Sequence, residues 1–473
     1  MAIHPFAAWM LGQEARSLLT RLTRVKPFAL LQPMVPAAAL QPGAQSAIER
    51  HVALCRRQLR GQVMQFLRWL RSPQAQFADE AEGQRRFTFL RLRFNAMLTH
   101  VDLFSEVITQ RSECENGVWL AGLDVVCAET LRLPGDYYQA PPVVCYLDRG
   151  PGAAIRRAGT RLPGGGQNPV AIVRIPRERM VGAGIASSLV HEIGHQAAAL
   201  LDLAQSLRPE IQAMQGRHGG APEQDPWHWW ETWISEIVAD FWAVSRVGVA
   251  STMGLIAVLS LPRLFVLRLS GNDPHPVPWL RVMLSCAIGD ALYPHPQWRR
   301  LSRLWDSYYP LQGLAPQRLR LYRDLQRSIP AFVRLLLAHR PASLHGHSLP
   351  ELCQIEQRQP AQLARLFAAW RAAPHEMYQA PPSLVFAVFG QARVDGSLTP
   401  EAESDVLGKL LTHWALQNSL NTSSSCAISL GRSAAQVTGM DSPPQADVWR
   451  RRTQPMPQAR FRTRRHLMHG APR

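Results

Sequence analysis

Two histidines and a glutamate in one short stretch have the types and spacing of a metal-binding site. His191, Glu192 and His195 form an H-E-x-x-H motif within residues 184 to about 206, a run rich in Ala and Leu that predicts a helix. Residues four apart share a helix face, so both imidazoles can reach one metal ion. Glu192 can reach a metal-bound water without binding the metal itself. We expect one zinc ion, which suits nitrogen ligands and keeps a position open for water in catalytic sites.

A second predicted helix follows and carries two acidic residues on an apolar, aromatic face. Asp225 is a favourable N-cap, Pro226 suits the first helical position, and Gly248 suits the C-terminal end. Glu236 and Asp240 lie one helical turn apart on that face. Carboxylates in such surroundings cost free energy unless they are paired, which predicts a partner for both.

A metal ion and its histidine ligands would supply that partner. We predict that Glu236 is the third metal ligand. Asp240 would then accept a hydrogen bond from the free ring N–H of His191 or of His195 and fix the tautomer of that ring. The alternative is that both carboxylates are structural and bind arginines, which the chain has in excess.

A third motif, H-P-x-x-x-x-R, lies downstream at His275, Pro276 and Arg281. Together, H-E-x-x-H, the E-x-x-A-D of Glu236 to Asp240 and this motif resemble the pattern of gluzincin zinc metallopeptidases. The order of the motifs is most similar to that of peptidases of the CaaX-prenyl-protease and heat-shock-membrane-protease type. The resemblance covers roughly residues 110–290.

This resemblance implies a zincin-like core, in which a small sheet is combined with metal-binding helices. Helical spacing elsewhere predicts an α+β fold that is predominantly helical. In this family His275 and Arg281 would face the cleft and stabilise charge on the substrate. Peptidases of this type are usually embedded in a membrane, and the sequence departs from them here. Its apolar run at 249–261 falls short of the ~20 residues that a membrane span needs, and predicts a buried core helix instead.

We therefore expect zinc-dependent hydrolysis of peptide bonds, with a peptide or protein as the substrate. Zinc would lower the pKa of its bound water and polarise the scissile carbonyl. Glu192 would take the proton of that water and pass it to the leaving amine. Zinc would hold the tetrahedral oxyanion, with help from His275 or Arg281.

Two short β-branched runs, 142–147 and 169–175, precede the metal-binding helix and predict strands. The glycine-rich loop between them, 150–168, lacks the spacing of a phosphate-binding loop. Two strands that flank a loop fit the small sheet of a zincin. An edge strand of such a sheet can bind an extended peptide as an additional strand, and we place residues 170–175 at that edge.

The predicted elements divide the chain into four parts. These are an N-terminal segment with a Pro/Ala-rich linker (1–45), a helical lead-in joined to a zincin-like catalytic domain (46–290), a C-terminal helical region (291–420) and a basic tail predicted to be disordered (421–473). Ser46 and Glu49 have the spacing of a capping box at the start of the second part. Further helices are predicted at 87–108, 117–133, 298–308, 316–339, 360–370 and 400–416.

The chain is strongly basic, with a formal net charge of +17. Nearly all of its cations are arginines, and eight of them lie within 446–473 against Asp447 as the only acidic residue there. Such a tail could bind nucleic acid or an acidic partner, or it could be uncommitted. It supports an alternative function, in which the protein is a non-catalytic, zinc-stabilised scaffold or adaptor that acts through its arginine-rich surface and tail.

Seven scattered cysteines without a C-x-x-C motif argue against a disulfide framework and against a cysteine-based zinc site. The N-terminal apolar run, 6–11, is followed closely by Gln13 and Glu14, and no small-residue cleavage site comes after it. This pattern does not predict a signal peptide. We expect a cytoplasmic protein with reduced thiols, with export by a non-classical route left open.

Overall fold

The computed structural model describes residues 3–30, 33–150, 152–163, 165–177, 183–216, 222–271 and 273–437. Helices dominate these residues and three strands form one small sheet, which confirms the predicted α+β, predominantly helical class. Residues Met1–Thr422 form one compact unit. Ser423–Arg473 form a second, which is described only as far as residue 437. The arginine-rich segment 446–473 lies outside the described residues.

Three long helices open the chain: α1 (Pro5–Leu22), α2 (Pro42–Trp69) and α3 (Glu80–Thr109). All three pack against one another. Their shared core consists of buried apolar side chains that recur at helical spacing, among them Leu11, Leu18, Val63, Phe66 and Phe94. This packing gives the amphipathic pattern of α2 its buried partner.

Both predicted starts in this region are too late. Helix α2 begins at Pro42, ahead of the capping box expected at Ser46, because the fixed φ of proline suits the first helical turn. Helix α3 begins at Glu80, well before residue 87. Its N-cap is Asp79, whose side chain accepts a hydrogen bond from the backbone N–H of Glu82.

Helix α4 (Cys114–Leu131) leads into a sheet of three strands: β1 (Val143–Asp148), β2 (Ala154–Arg156) and β3 (Ala171–Pro176). The order is β1-β3-β2, with β1 parallel and β2 antiparallel to β3. The prediction that residues 170–175 lie at the edge is therefore wrong, because β3 is the central strand. Strand β2 takes the edge, and it comes from the segment that the sequence presented as loop.

Side chains close the outer edge of β1. The amide of Gln110 donates to the Leu147 carbonyl and accepts from the Leu147 N–H, each at 2.7 Å. Asp124 accepts from the Cys145 N–H, and Arg111 donates to the Cys145 carbonyl, also at 2.7 Å each. These backbone groups of β1 are therefore already satisfied, and β2 forms the other edge of the sheet.

Seven helices make up the central part of the chain. They are α5 (Ala183–Leu200), α6 (Leu203–Gln212), α7 (Pro226–Thr232), α8 (Ile234–Val247), α9 (Val249–Leu259), α10 (Arg263–Val266) and α11 (Pro278–Leu292). The first half of α9 is buried, as predicted for a core helix. Among the described residues, no helix combines the length and apolarity required to cross a membrane.

The two helices predicted to carry the metal site are each divided in the structure. The run expected to continue to about residue 206 ends at Leu200, because Asp202 adopts a left-handed conformation with φ of 51°. The second run is interrupted at Trp233, between α7 and α8. Asp225 caps α7 as predicted and accepts a hydrogen bond from the backbone N–H of Trp227.

Seven further helices follow: α12 (Pro296–Tyr308), α13 (Pro316–Ala338), α14 (Leu349–Leu352), α15 (Pro360–Ala372), α16 (Pro374–Gln379), α17 (Pro382–Val394) and α18 (Pro400–Val437). The four helices predicted here are confirmed, although α18 extends beyond the expected end at 416. One apolar core runs from Leu120 to Trp414 and surrounds α8. This apolar core is continuous across residue 290, the predicted boundary between the catalytic domain and the C-terminal helical region.

Candidate metal centre

Helices α5 and α8 are in close backbone contact at Gly194. A β-carbon at this position would lie 2.8 Å from the carbonyl oxygen of Ala239, closer than real β-carbons come to other atoms. Glycine, the fourth residue of the H-E-x-x-H motif, therefore permits the backbones to touch. The contact brings Glu236 and Asp240 of α8 against the two motif histidines.

The three predicted metal ligands converge at this contact. Nε2 of His191 lies 3.3 Å from Oε2 of Glu236, and Nε2 of His195 lies 3.4 Å from Oε1 of the same carboxylate. All three ligand atoms lie within 4.8 Å of one another. Two ligands of a tetrahedral zinc ion, each about 2.0–2.1 Å from the metal, lie roughly 3.3 Å apart. The group could therefore bind a metal ion.

The charge state and hydrogen bonding of Glu236 suit it to bind a cation. Burial opposes the ionisation of Glu236, but the imidazoles of His191 and His195 hold its pKa well below the usual range, so the group is a carboxylate. Its Oε2 atom is buried and makes no hydrogen bond of acceptable geometry. Nε2 of His191 and Nε2 of His275 each lie 3.3 Å from this oxygen, and a cation bound between these groups would satisfy it better than either contact does.

Asp240 contacts the first motif histidine, which settles the choice that the sequence left open. Nδ1 of His191 lies 2.8 Å from Oδ1 of Asp240. In the neutral ring, a proton held on Nδ1 leaves the Nε2 lone pair directed toward Glu236 and the ligand group. Burial would raise the pKa of Asp240, but Arg281 and His191 lower it far below the usual range, so Asp240 is a charged acceptor.

Arg281 binds this same carboxylate from the other side. Its Nε donates to Oδ2 of Asp240 at 2.7 Å, and its Nη2 donates to Oδ1 at 2.9 Å. The structural alternative expected from the sequence, a carboxylate paired with arginine, thus holds for Asp240 together with its contact to His191. Glu236 is different, because Arg281 comes only within 3.7 Å of it.

A cleft of about 140 Å³ opens beside the histidines. Its lining combines groups that can bind or transfer protons with small and apolar residues. The former are His191, Glu192, Asp240, His275 and Arg281, and the latter are Gly152, Ala153, Ser188, Ser251, Leu255 and Val258. Glu192 therefore lines the same cleft as His191.

His275 and Arg281, predicted to share a role at the cleft, differ in their surroundings. The His275 side chain is 49% exposed, and its Nε2 lies 3.3 Å from Oε2 of Glu236. The Arg281 side chain is 9% exposed and is bound to Asp240. Asp273 accepts a hydrogen bond from Nδ1 of His275 at 2.8 Å, a contact that the sequence reasoning missed although the Asp-Pro-His spacing was visible.

A second missed residue follows the motif directly. Gln196 is buried, and its Oε1 accepts a hydrogen bond from the backbone N–H of Ala158 at 2.8 Å. This contact joins α5 to the chain immediately after β2. The sequence did contain a sign of this contact, because Gln196 is a polar residue at a position that the helical pattern places toward the core.

Comparison with known proteins returned no match: no protein-family model, no curated protein and no solved structure matches the chain. The resemblance to gluzincins consequently depends on the three motifs. Conclusions about chemistry depend on the geometry of the residues around His191.

Proposed function

We propose that the protein is a zinc-dependent peptidase of the gluzincin type that hydrolyses peptide bonds in a peptide or protein substrate. One observation supports this proposal above all. Glu192 lines the same cleft as His191, and His191 belongs to the group of three residues that could bind a metal ion. A purely structural zinc site is closed by protein ligands. Here a candidate general base and an accessible space lie next to the ligands instead.

Each residue of the site has a separate role in this proposal. His191, His195 and Glu236 would hold zinc, which supplies Lewis-acid polarisation of the carbonyl and a lowered pKa for a bound water. Glu192 accepts a proton from the attacking water and transfers it to the leaving amine. Asp240 keeps the proton of His191 on Nδ1.

Charge on the tetrahedral intermediate requires a donor at the cleft. His275 is better suited to this role than Arg281, because its ring is half-exposed at the cleft and is held in place by a hydrogen bond to Asp273. The guanidinium of Arg281 already gives two hydrogen bonds to Asp240. We assign Arg281 to positioning Asp240 and His191, because its Nη2 also lies 3.3–3.4 Å from the ring nitrogens of His191.

The substrate backbone would add to the sheet at β2. This strand is the edge opposite to β1, whose backbone is closed by Gln110 and Asp124. Gly152 and Ala153, which precede β2, line the cleft beside His191. An extended peptide paired with β2 would therefore run past the candidate general base, with main-chain hydrogen bonds providing affinity.

Two variants with different expected outcomes test the proposal. Glu192→Gln should retain about one zinc at this site and lose turnover, by about 10²-fold or more, because it removes only the proton acceptor. Glu236→Gln should lose both the zinc and the activity. Exposed Glu356→Gln is the matched control and should change neither.

The measurements are zinc content by elemental analysis and cleavage of an unstructured protein such as casein and of a mixed peptide library. Cleavage by Glu192→Gln at the wild-type rate would contradict the general-base assignment. Zinc binding by the wild type without cleavage of any substrate, at every zinc concentration, would favour the non-catalytic scaffold instead.

A further inference from the structure

A second cluster of metal-ligating side chains lies far along the chain from the candidate active site. His51 and Cys55 are one turn apart on α2, and His100 lies on α3. Their ligand atoms all lie within 4.8 Å of one another. Nε2 of His51 is 3.3 Å from Nδ1 of His100 and 3.6 Å from Sγ of Cys55.

These distances match the edges of a zinc coordination tetrahedron. With Zn–N near 2.0–2.1 Å and Zn–S near 2.3 Å, two nitrogens lie roughly 3.3 Å apart, and a nitrogen and a sulfur roughly 3.6 Å apart. The i and i+4 positions of His51 and Cys55 place both side chains on one face of α2. Helix α3 supplies the third side chain from the opposite side.

The hydrogen bond made by His100 leaves its Nδ1 atom free to bind a metal ion. Its Nε2 lies 2.6 Å from the carbonyl oxygen of Pro163, which can only accept, so the proton of the neutral ring is on Nε2. The lone pair of Nδ1 then points toward His51 and Cys55. Ligating histidines commonly donate their other N–H to a backbone carbonyl in this way. His100 is only 4% exposed, whereas His51 and Cys55 are half-buried, so an ion could reach the cluster from solvent.

We propose that His51, Cys55 and His100 bind a second zinc ion through two imidazole nitrogens and one thiolate. On binding, the thiol releases its proton to solvent and the sulfur bonds to the ion. Nitrogen and sulfur ligands select a borderline or soft cation such as zinc over calcium or magnesium. The absence of C-x-x-C, which argued against a cysteine-based site, does not bear on a mixed site whose third ligand comes from another helix.

With three protein ligands the second zinc would have water as its fourth ligand, and its effect on the fold would be to hold three parts of the chain together. The ion would link α2 to α3, and the His100 hydrogen bond extends the link to Pro163 in the loop between β2 and β3. The same loop region reaches the candidate active site, because the Ala158 N–H donates to Gln196. The second zinc would therefore stabilise the loop that supports β2. The proposal does not require the protein to be a peptidase.

Cobalt substitution of the full-length protein separates the two sites. Cobalt bound by a thiolate gives a sulfur-to-metal charge-transfer band in the near ultraviolet, whereas the His191, His195 and Glu236 group contains no sulfur. We expect about two cobalt ions per wild-type chain, together with this band. Cys55→Ser should lose the band and one of the two ions, and Glu236→Gln should lose one ion and retain the band.

Two more variants complete the design. His51→Ala should weaken the band strongly while leaving the thiol in place, and exposed Cys114→Ser should leave the band unchanged. Thermal unfolding followed by circular dichroism shows that each variant folds, and zinc should raise the Tm of Cys55→Ser less than that of the wild type. A wild-type protein that shows no thiolate band with excess cobalt, or a band that persists in Cys55→Ser, would overturn the second site. Neither result would bear on Glu192.

Discussion

Gly194 of α5 faces the carbonyl oxygen of Ala239 on α8 so closely that a β-carbon on Gly194 would lie 2.8 Å from it. The Cα of Ala239 would also lie only 2.9 Å away. Both neighbours are backbone atoms, so no side-chain rotation can relieve the contact. The separation of the two helices, and with it the distance from Glu236 to the histidines, depends on the absence of a side chain at residue 194.

Gly194→Ala should therefore force α5 and α8 apart and reduce zinc affinity by at least tenfold. Overpacking of a rigid contact also costs about 1–3 kcal/mol of stability. Gly61→Ala is the matched control, because a β-carbon on Gly61 of α2 would meet no neighbouring atom within 4 Å and alanine is the better helix former. Isothermal titration with zinc and chemical unfolding measure the two effects. Unchanged zinc affinity in a folded Gly194→Ala would show that the helix contact does not set the site.

The candidate group of side chains around His191 could be predicted from the sequence because helical periodicity is local. His191 and His195 are four residues apart, and Glu236 and Asp240 are four apart on the next predicted helix. Only the choice of histidine for Asp240 required three-dimensional information. The ring that Asp240 contacts depends on the crossing of α5 and α8, which is fixed by packing at Gly194 rather than by spacing.

The sheet order and the second histidine cluster could not be predicted in the same way. Strand β2 has three residues, too few for an alternating pattern to stand out from a glycine-rich segment. Sequence spacing connects His51 to Cys55, but His100 joins them only through the packing of α3 against α2. The helix break at Asp202 arises from a single left-handed residue, a conformation that aspartate tolerates but does not require.

Asp240→Asn should lower zinc affinity by about 10–100-fold while leaving the chain folded. Asparagine keeps an acceptor for Arg281 but removes the negative charge that holds the proton of His191 on Nδ1. Asp324→Asn, which changes a half-exposed carboxylate bound to Arg327, is the control and should have no effect on zinc. Competition with a chromophoric chelator measures the affinities. Equal affinities in Asp240→Asn and the wild type would leave Asp240 with a structural role only.

Zinc affinity at the first site should rise with pH up to about 9. Burial favours neutral His191, but the charges and hydrogen bonds of Asp240 and Glu236 raise its pKa to about 9. Below that pH, the metal must displace a proton from His191, so affinity should change by about tenfold per pH unit and level off above it. Titrations in buffers with different ionisation enthalpies would measure the released proton directly. A pH-independent affinity between about 6.5 and 9 would contradict this protonation state.

His275→Ala distinguishes a cleft residue from a fourth metal ligand. The Nε2 atom of His275 lies 3.3 Å from Oε2 of Glu236, close enough for either role. If the ring stabilises charge on the substrate, the variant should keep its zinc and lose about 10²–10³-fold in kcat, the usual effect of removing one such donor. Asp273→Asn should produce a smaller loss in kcat, because it removes the charge that positions the His275 ring.

A different result is expected if His275 is a fourth metal ligand. A fourth ligand would occupy the position that the catalytic water needs, so its removal should weaken zinc binding markedly and raise turnover at saturating zinc. His375→Ala, at an exposed histidine outside the site, controls for the loss of a surface imidazole and should change neither quantity. Zinc affinity and kcat measured on the same preparations decide between the roles. Retention of both zinc and full kcat in His275→Ala would remove His275 from the mechanism and leave Arg281 as the remaining candidate donor at the cleft.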